Sequence, residues 1–500
     1  MPSIILTTLN ARYIHSAFGL RYLKANLAEL EHECEIVEFT IHERPIDMAE
    51  QLLRLNPKII GFGVYIWNVD EITRTISILK QVSPETIIVV GGPEVSYEQA
   101  EQECCRLSDY VIAGAADLSF RDLCRQLLHG EKAVHKFIPP QVPKLAEIRF
   151  PYYLYNQDDV AHRIIYVEAS RGCPYKCEFC LSALDKTAWP FDLDQFLAQM
   201  DMLYRRGVRH FKFVDRTFNL KIDNSVRILE FFLERMDEKL FLHFELIPDH
   251  LPDRLKKLLV RFPSHSLQFE IGVQTFNPVT QQLISRKQDD QKTEENLRWL
   301  RTQTHAHIHA DLIVGLPGED MNCFAAGLNR LVQLEPHEIQ IGILKRLRGS
   351  PIIRHTEAYQ LRFNPNSPYN ILSNHLVDFG TMQRLNRFAR YWDMIINSGR
   401  FKHGKQIILD DDPFQRFMQL SDWLYGKTGQ THKIALRRLF ELLYEALIDV
   451  LAVDEALVVE SLLKDYRLTG LKGIAPFRPP QKLTNILVNG RASRRQQRHP

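Results

Sequence analysis

Over the first 140 positions, apolar residues come in short dense runs: IILTTL, CEIVEFT, IIGFGVYIW, TIIVVGG and YVIAGA. Runs of this length, β-branched and bounded by Gly, Asn and Pro, predict five buried strands. Between them AFGLRYLKANLAELE and MAEQLLRLN repeat their apolar residues at helical spacing. Strands alternating with helices pair in parallel through crossovers, so residues 1–140 are predicted as a doubly wound, flavodoxin-like α/β sheet. After a linker over 141–160 the alternation resumes through 161–352. RIIYVEAS, HFKFVDRTFN, LHFELIPDHL, LQFEIGVQTF, HIHADLIVGLPGED and EIQIGILKRLRG read as strands, parted by amphipathic stretches such as NSVRILEFFLERMDEK. Residues 353–375, rich in Asn and Pro, read as a linker or lid. From 376 to 500 the apolar period is helical, and Phe388, Tyr391, Trp392 and Trp423 are expected in a helical core.

Composition narrows the class. Hydrophobic residues at 45% and charged residues at 25% are ordinary for soluble chains, and 500 residues exceed one core. No apolar run is long enough to span a bilayer. The opening MPSIILTTLNARY has no basic leader and enters a strand directly, so a cytoplasmic protein is expected. A net charge of +2 gives no argument for nucleic acid or a membrane as partner. The locally basic RASRRQQRHP reads as a solvated tail. GGPEVS marks a tight turn after a strand, without a dinucleotide fingerprint.

The cysteines carry the candidate chemistry. Cys34, Cys104, Cys105, Cys124 and Cys323 are scattered and expected to be buried thiols. The other three sit in SRGCPYKCEFC as C-x3-C-x2-C: Cys173, Cys177 and Cys180. Structural zinc wants four ligands, and HAHIH at 305–309 reads as strand rather than as the missing pair. Three thiolates on one loop suit a [4Fe–4S] cube with one iron open to a small molecule.

This triplet, with Phe179 before its last cysteine, resembles the radical S-adenosylmethionine superfamily. The resemblance implies a partial (β/α)6 barrel with S-adenosylmethionine chelated to the open iron. An electron from the cluster then cleaves the S–C5′ bond to give a 5′-deoxyadenosyl radical. Strand ends match the branch containing coproporphyrinogen dehydrogenase and the methylthiotransferases: Glu245 in HFE, Gln274 in GVQT, Arg286 in LISRKQD, Asp311 in ADLIVGLPGE. Arg286 would pair with the methionine carboxylate and Glu245 would meet the ammonium. Gln274 and Asp311 would bind the ribose, and Gly315 and Gly318 would let backbone approach. For any one of them a surface ion pair is the alternative. The usual Gly-Gly-Glu after the second strand is VDRTFN here, which offers Asp215 and Asn219 instead.

The doubly wound domain ahead of this core resembles the cobalamin-binding subgroup. The resemblance places Gly63 and Val64, after the third strand, and Gly91 and Gly92, after the fourth, beside the nucleotide tail of cobalamin. Asp-x-His-x-x-Gly, which supplies a lower cobalt ligand in base-off domains, is only approximated by NARYIHSAFG, where His15 stands in the corresponding loop. His15 is that ligand, a loop residue near the corrin, or a capping group. GAAD replaces the acidic turn of relatives and leaves Asp117. The helical third resembles an uncharacterised C-terminal domain found in one branch of these proteins. The implied reaction is methyl transfer to an unactivated carbon or phosphorus centre of a small-molecule, lipid or peptide substrate. Electrons would come from a flavodoxin- or ferredoxin-type donor. A cobalamin-dependent rearrangement or cyclisation, and a redox or sensor role, are the alternatives.

Overall fold

In the computed structural model, residues 2–185 and 187–477 are described, and the basic segment RASRRQQRHP lies outside them. Every residue of the first strand, β1 (Ile4–Asn10), is buried, as a strand covered on both faces requires. Its parallel partners are β2 (Cys34–Thr40) and β3 (Ile59–Gly63), followed by β4 (Ile87–Gly91), β5 (Tyr110–Ile112) and β6 (Phe137–Ile138). The sheet order is β2-β1-β3-β4-β5-β6. The chain therefore reverses its winding at β1 and β3, where doubly wound sheets open a crevice. Period-2 alternation divides the core. Ile5, Leu9, Ile60 and Val90 pack on one face, and Ile4, Leu6, Ile59 and Val89 on the other. The two residues of β6 were not among the predicted strands, because one half-exposed pair between polar stretches has no period to detect.

Two compact units emerge. The first runs to Arg216 and also takes in Lys345–Ile353 and Asn364–Asn370. It holds β7 (Ile165–Val167), β8 (Ser170–Arg171), β9 (Trp189–Pro190) and β10 (His210–Phe213). β10 pairs in parallel with β7, and β8 with β9 in antiparallel fashion. The expected linker before β7 is ordered. Asn156 and Asp159 cap the helix Gln157–His162 reciprocally. Arg21, 4% exposed, bridges Glu38 at 2.7 Å and Asp159 at 2.8 Å. The returning segments bind the turn after β4. Arg348 donates to Glu94 (2.9 Å) and Glu98 (3.1 Å), Arg346 to Glu98 (2.8 Å), and the Tyr369 hydroxyl to Glu94 (2.7 Å).

The second unit comprises Thr217–Leu344, Arg354–Phe363 and the chain from Ile371. Its strands β11 (Phe241–Leu246), β12 (Leu267–Gln274), β13 (His307–Val314) and β14 (Glu338–Ile343) pair in parallel in the order β14-β13-β12-β11. The apolar runs LHFELIPDHL, LQFEIGVQTF, HIHADLIVGLPGED and EIQIGILKRLRG each fall on one of these strands, and helices alternate with them as predicted. Among the described residues five helices follow: Phe379–Ile395, Lys402–Leu409, Pro413–Thr428, Leu436–Asp449 and Glu455–Leu468. Phe388, Tyr391 and Trp392 are fully buried among them, with Phe388 and Phe417 edge to face at 5.0 Å. Trp423 is half-buried beneath Lys427 instead of in the core.

Candidate functional site

The cysteine loop leaves β7 through Glu168 and Ala169. Asp215, 3% exposed, accepts from the Ala169 amide (3.0 Å) and the Ser170 hydroxyl (2.6 Å), so β10 aligns the start of the loop. Burial pushes its carboxyl up to about 7. Gly172 has φ +90°, and a Cβ there would run into the Thr187 carbonyl, so only glycine suits the entry. The Cys173 amide donates to the Asp185 carbonyl (3.1 Å), the Cys180 amide to that of Cys177 (3.0 Å), and the Ile352 amide to that of Glu178 (3.0 Å). Cys173 and Cys177 are buried, while Phe179 and Cys180 are half-buried. Among the described residues no three His, Cys, Asp or Glu side chains stand ready to hold a metal ion. The thiols share one tied loop without being gathered on a point. Their chemistry still fits a cluster, with one thiolate for each of three irons.

The scattered cysteines form a contrast. Burial raises the thiols of Cys34 and Cys104 to about 12 and that of Cys105 to about 11, and pushes Cys124 up as well. Cys323 is exposed, not buried as expected, because it starts a surface helix (Met321–Val332) whose N-cap Asp320 accepts from its amide.

A cavity of about 330 Å³ opens at the carboxyl ends of β3, β4 and β5. Gly63, Gly91, Gly92 and Gly114 line it, over apolar Leu20, Val89 and Phe120. Gly92 has φ +111°, and a Cβ there would lie 2.5 Å from the Val64 carbonyl oxygen. Val64 does not line the cavity. It is buried, and its amide donates to Gly91 (2.8 Å), holding the turn closed from behind. Glycine backbone and apolar side chains make most of this lining, so the residues present fit an apolar, nucleotide-sized group such as a cobalamin tail. The wall nearest the cysteine loop is charged. Arg171 donates to both oxygens of Asp117 (2.9 and 3.2 Å) and to Glu168 (3.0 Å). His15 is not on the cavity. Its Nδ1 lies 2.7 Å from the Tyr166 hydroxyl, and burial, with Lys212 and Arg12 nearby, lowers its pKa.

In the second unit, Glu245 of β11 stands opposite Glu270 of β12. Gln274 ends β12 at a bulge with φ +71°. Asp311 of β13 pairs with His309 at 3.4 Å, and burial raises its carboxyl. Arg286 donates to Gln288 through two nitrogens (3.0 and 2.8 Å) and to the Gly272 carbonyl. With Asp249 and Gln281 it borders a second cavity of about 500 Å³. Gly315 has φ +88° and packs against Ile371. Asn219 spends its side chain on backbone, exchanging hydrogen bonds of 2.9 Å with Ile247 and donating to the His250 carbonyl. GLPGE holds a further polar residue that no motif marks: Glu319, 4% exposed, accepts from the Thr275 hydroxyl, and burial pushes its carboxyl up to about 7. Its sequence signal is a carboxylate next to the N-cap Asp320, directly after the apolar-rich GLPG. Thr275 adjoins Gln274, so Glu319 anchors the turn that presents it.

Residues 4–124 match the B12 binding domain, residues 167–331 the radical SAM superfamily, and residues 357–482 a family of unknown function, DUF4080. The chain carries a B12-binding domain and a radical SAM domain. The radical SAM domain implies a [4Fe–4S] cluster and S-adenosylmethionine, and the B12-binding domain implies cobalamin. Among curated proteins this chain is 23% identical to the uncharacterized methyltransferase PH0819 of Pyrococcus horikoshii, covering 70% of this chain and 80% of that one. It is 22% identical to the cobalamin-dependent radical SAM methyltransferase TokK of Streptomyces tokunonensis, over 65% of this chain and 52% of TokK, about half that relative's length. Two solved structures share its fold. TsrM from Kitasatospora setae, a radical S-adenosylmethionine methyltransferase with tryptophan and a cofactor analogue bound, has TM-score 0.60 at 16% identity over 73% of this chain and 79% of TsrM. The cobalamin-dependent radical enzyme OxsB has TM-score 0.61 at 14% identity over 94% and 81%. No helix among the described residues is long and apolar enough to cross a membrane.

Proposed function

We propose that this protein is a cobalamin-dependent radical S-adenosylmethionine methyltransferase, acting on a carbon or phosphorus centre of a small-molecule, lipid or peptide substrate. The observation that carries the reading is a B12-binding domain and a radical SAM domain in one chain. Relatives described as methyltransferases support it. When bound, the cluster supplies the electron that cleaves S-adenosylmethionine, and cobalamin carries the methyl group. The chain's own residues bind and orient. Cys173, Cys177 and Cys180 hold the cluster, on a loop that Asp215 aligns. Arg286 turns its guanidinium from Gln288 to the methionine carboxylate, a bidentate pairing that suits its geometry. Glu245 meets the ammonium, and Gln274 and Asp311 take the ribose hydroxyls. Gly315 leaves room for backbone approach. Gly63, Gly91 and Gly92 flank the cobalamin tail, and an external flavodoxin- or ferredoxin-type donor provides electrons.

The test is anaerobic reconstitution with iron, sulfide and hydroxocobalamin, then incubation with methyl-deuterated S-adenosylmethionine, reductant and cell extract. Mass spectrometry is expected to show S-adenosylhomocysteine, 5′-deoxyadenosine and a deuterated product. Deoxyadenosine with no label transferred means a rearrangement or cyclisation. Neither product means a redox or sensor role.

A further inference from the structure

Arg171 belongs to two features at once. It lines the 330 Å³ cavity together with Asp117 and Glu168, and it stands two positions before Cys173. Its planar guanidinium is engaged on every side. Two nitrogens meet the two oxygens of Asp117 at 2.9 and 3.2 Å, and Nε donates to Glu168 at 3.0 Å. The Tyr22 ring lies 4.5 Å and the Phe191 ring 5.6 Å from its central carbon. Asp117, 5% exposed, opens the helix that follows the Gly114 turn of the cavity, so its position is set by the cavity floor. Between Arg171 and Cys173 stands only Gly172, held at φ +90° against the Thr187 carbonyl, and the Cys173 amide is tied to Asp185. That segment has little slack. A shift of Asp117 on filling the cavity therefore reaches the first cysteine through one bidentate ion pair and a pinned glycine.

We propose that Arg171 is a positioning residue that couples corrin binding to assembly of the cysteine loop, so that cobalamin and the iron–sulfur cluster bind cooperatively. The inference rests on the cofactor assignment made above. Coupling between two sites is reciprocal, so each cofactor tightens the other by one factor, expected here at about tenfold.

Hydroxocobalamin is titrated anaerobically into protein with and without its reconstituted cluster, and the corrin spectrum gives the two dissociation constants. The wild type is expected to bind about tenfold tighter with the cluster in place. Arg171→Lys keeps the charge and loses the planar fork. Its coupling factor is expected to fall to near one, whatever its affinity for each cofactor alone. A merely structural residue would weaken both affinities and leave their ratio alone. If the lysine variant misfolds by circular dichroism, Asp117→Asn, which spoils one arm of the fork, is expected to lower the ratio partway. An unchanged ratio in the folded variants, or a wild type that binds both cofactors independently, overturns the proposal. A wild type that holds neither cofactor overturns the assignment beneath it, which is a distinguishable result.

Discussion

Cys173, Cys177 and Cys180 differ from the other cysteines in place and chemistry, and a substitution series can read the difference. Replacing all three with alanine is expected to abolish iron and sulfide incorporation. Cys124→Ala, at a buried thiol far from the loop in sequence, is expected to leave both intact, as colorimetric iron and sulfide assays would report. Glu319 makes a pH prediction. Folding raises its carboxyl from 4.5 to about 7, so the folded state holds the proton more tightly than the unfolded chain. That stabilisation is complete below the unfolded value and is lost as pH rises through about 7, and Asp215 titrates with the same sign. The cofactor-free protein is therefore expected to melt at a falling temperature between pH 5 and pH 8, by an amount on the order of 1–3 kcal/mol per group. Glu319→Gln should flatten the Glu319 share and melt above the wild type at pH 8. Calorimetry with an equal slope in both proteins would refute this. Sequence motifs pointed to the cysteines and the strand-end polar residues because both are local. Arg171, Glu319 and the commitment of Asn219 to backbone were not legible, since each depends on partners 28 to 54 positions away.

At the scale of elements, the strands were readable because burial on two faces demands near-continuous apolar runs, and every residue of β1 and β3 is buried accordingly. β6, with two residues, lies below the length at which any period can be counted. The turns are where single atoms decide. Gly92→Ala would push a Cβ to 2.5 Å from the Val64 carbonyl in a backbone conformation side chains avoid. The cost is about 1–3 kcal/mol, and the expected outcome is loss of corrin after gel filtration while iron incorporation persists. Gly172→Ala should do the reverse, lowering iron per chain with the cavity residues in place. If both variants lost both cofactors alike, the turns would be acting on the whole fold.

At the scale of the molecule, the helical third depends on one aromatic nucleus. Phe388, 0% exposed, packs its ring against Trp392, Phe414 and Phe417. Phe388→Ala is expected to cost about 3–5 kcal/mol, measured by denaturant unfolding followed through tryptophan fluorescence. The first unit also contains segments from far down the chain, which local pattern could not reveal, because nothing in RGSP or NPNSPY names its partner. That return sets an order of events during synthesis. Glu94, 4% exposed and with its carboxyl raised by burial, depends on Arg348 and Tyr369 for its partners. While the ribosome has yet to release residue 369, a nascent chain that already carries all six strands of the first sheet must keep this carboxylate in water or protonated. The sheet would then reach its final form only late in translation, and a polypeptide ended at Leu344 would lack the cation its own fourth turn requires.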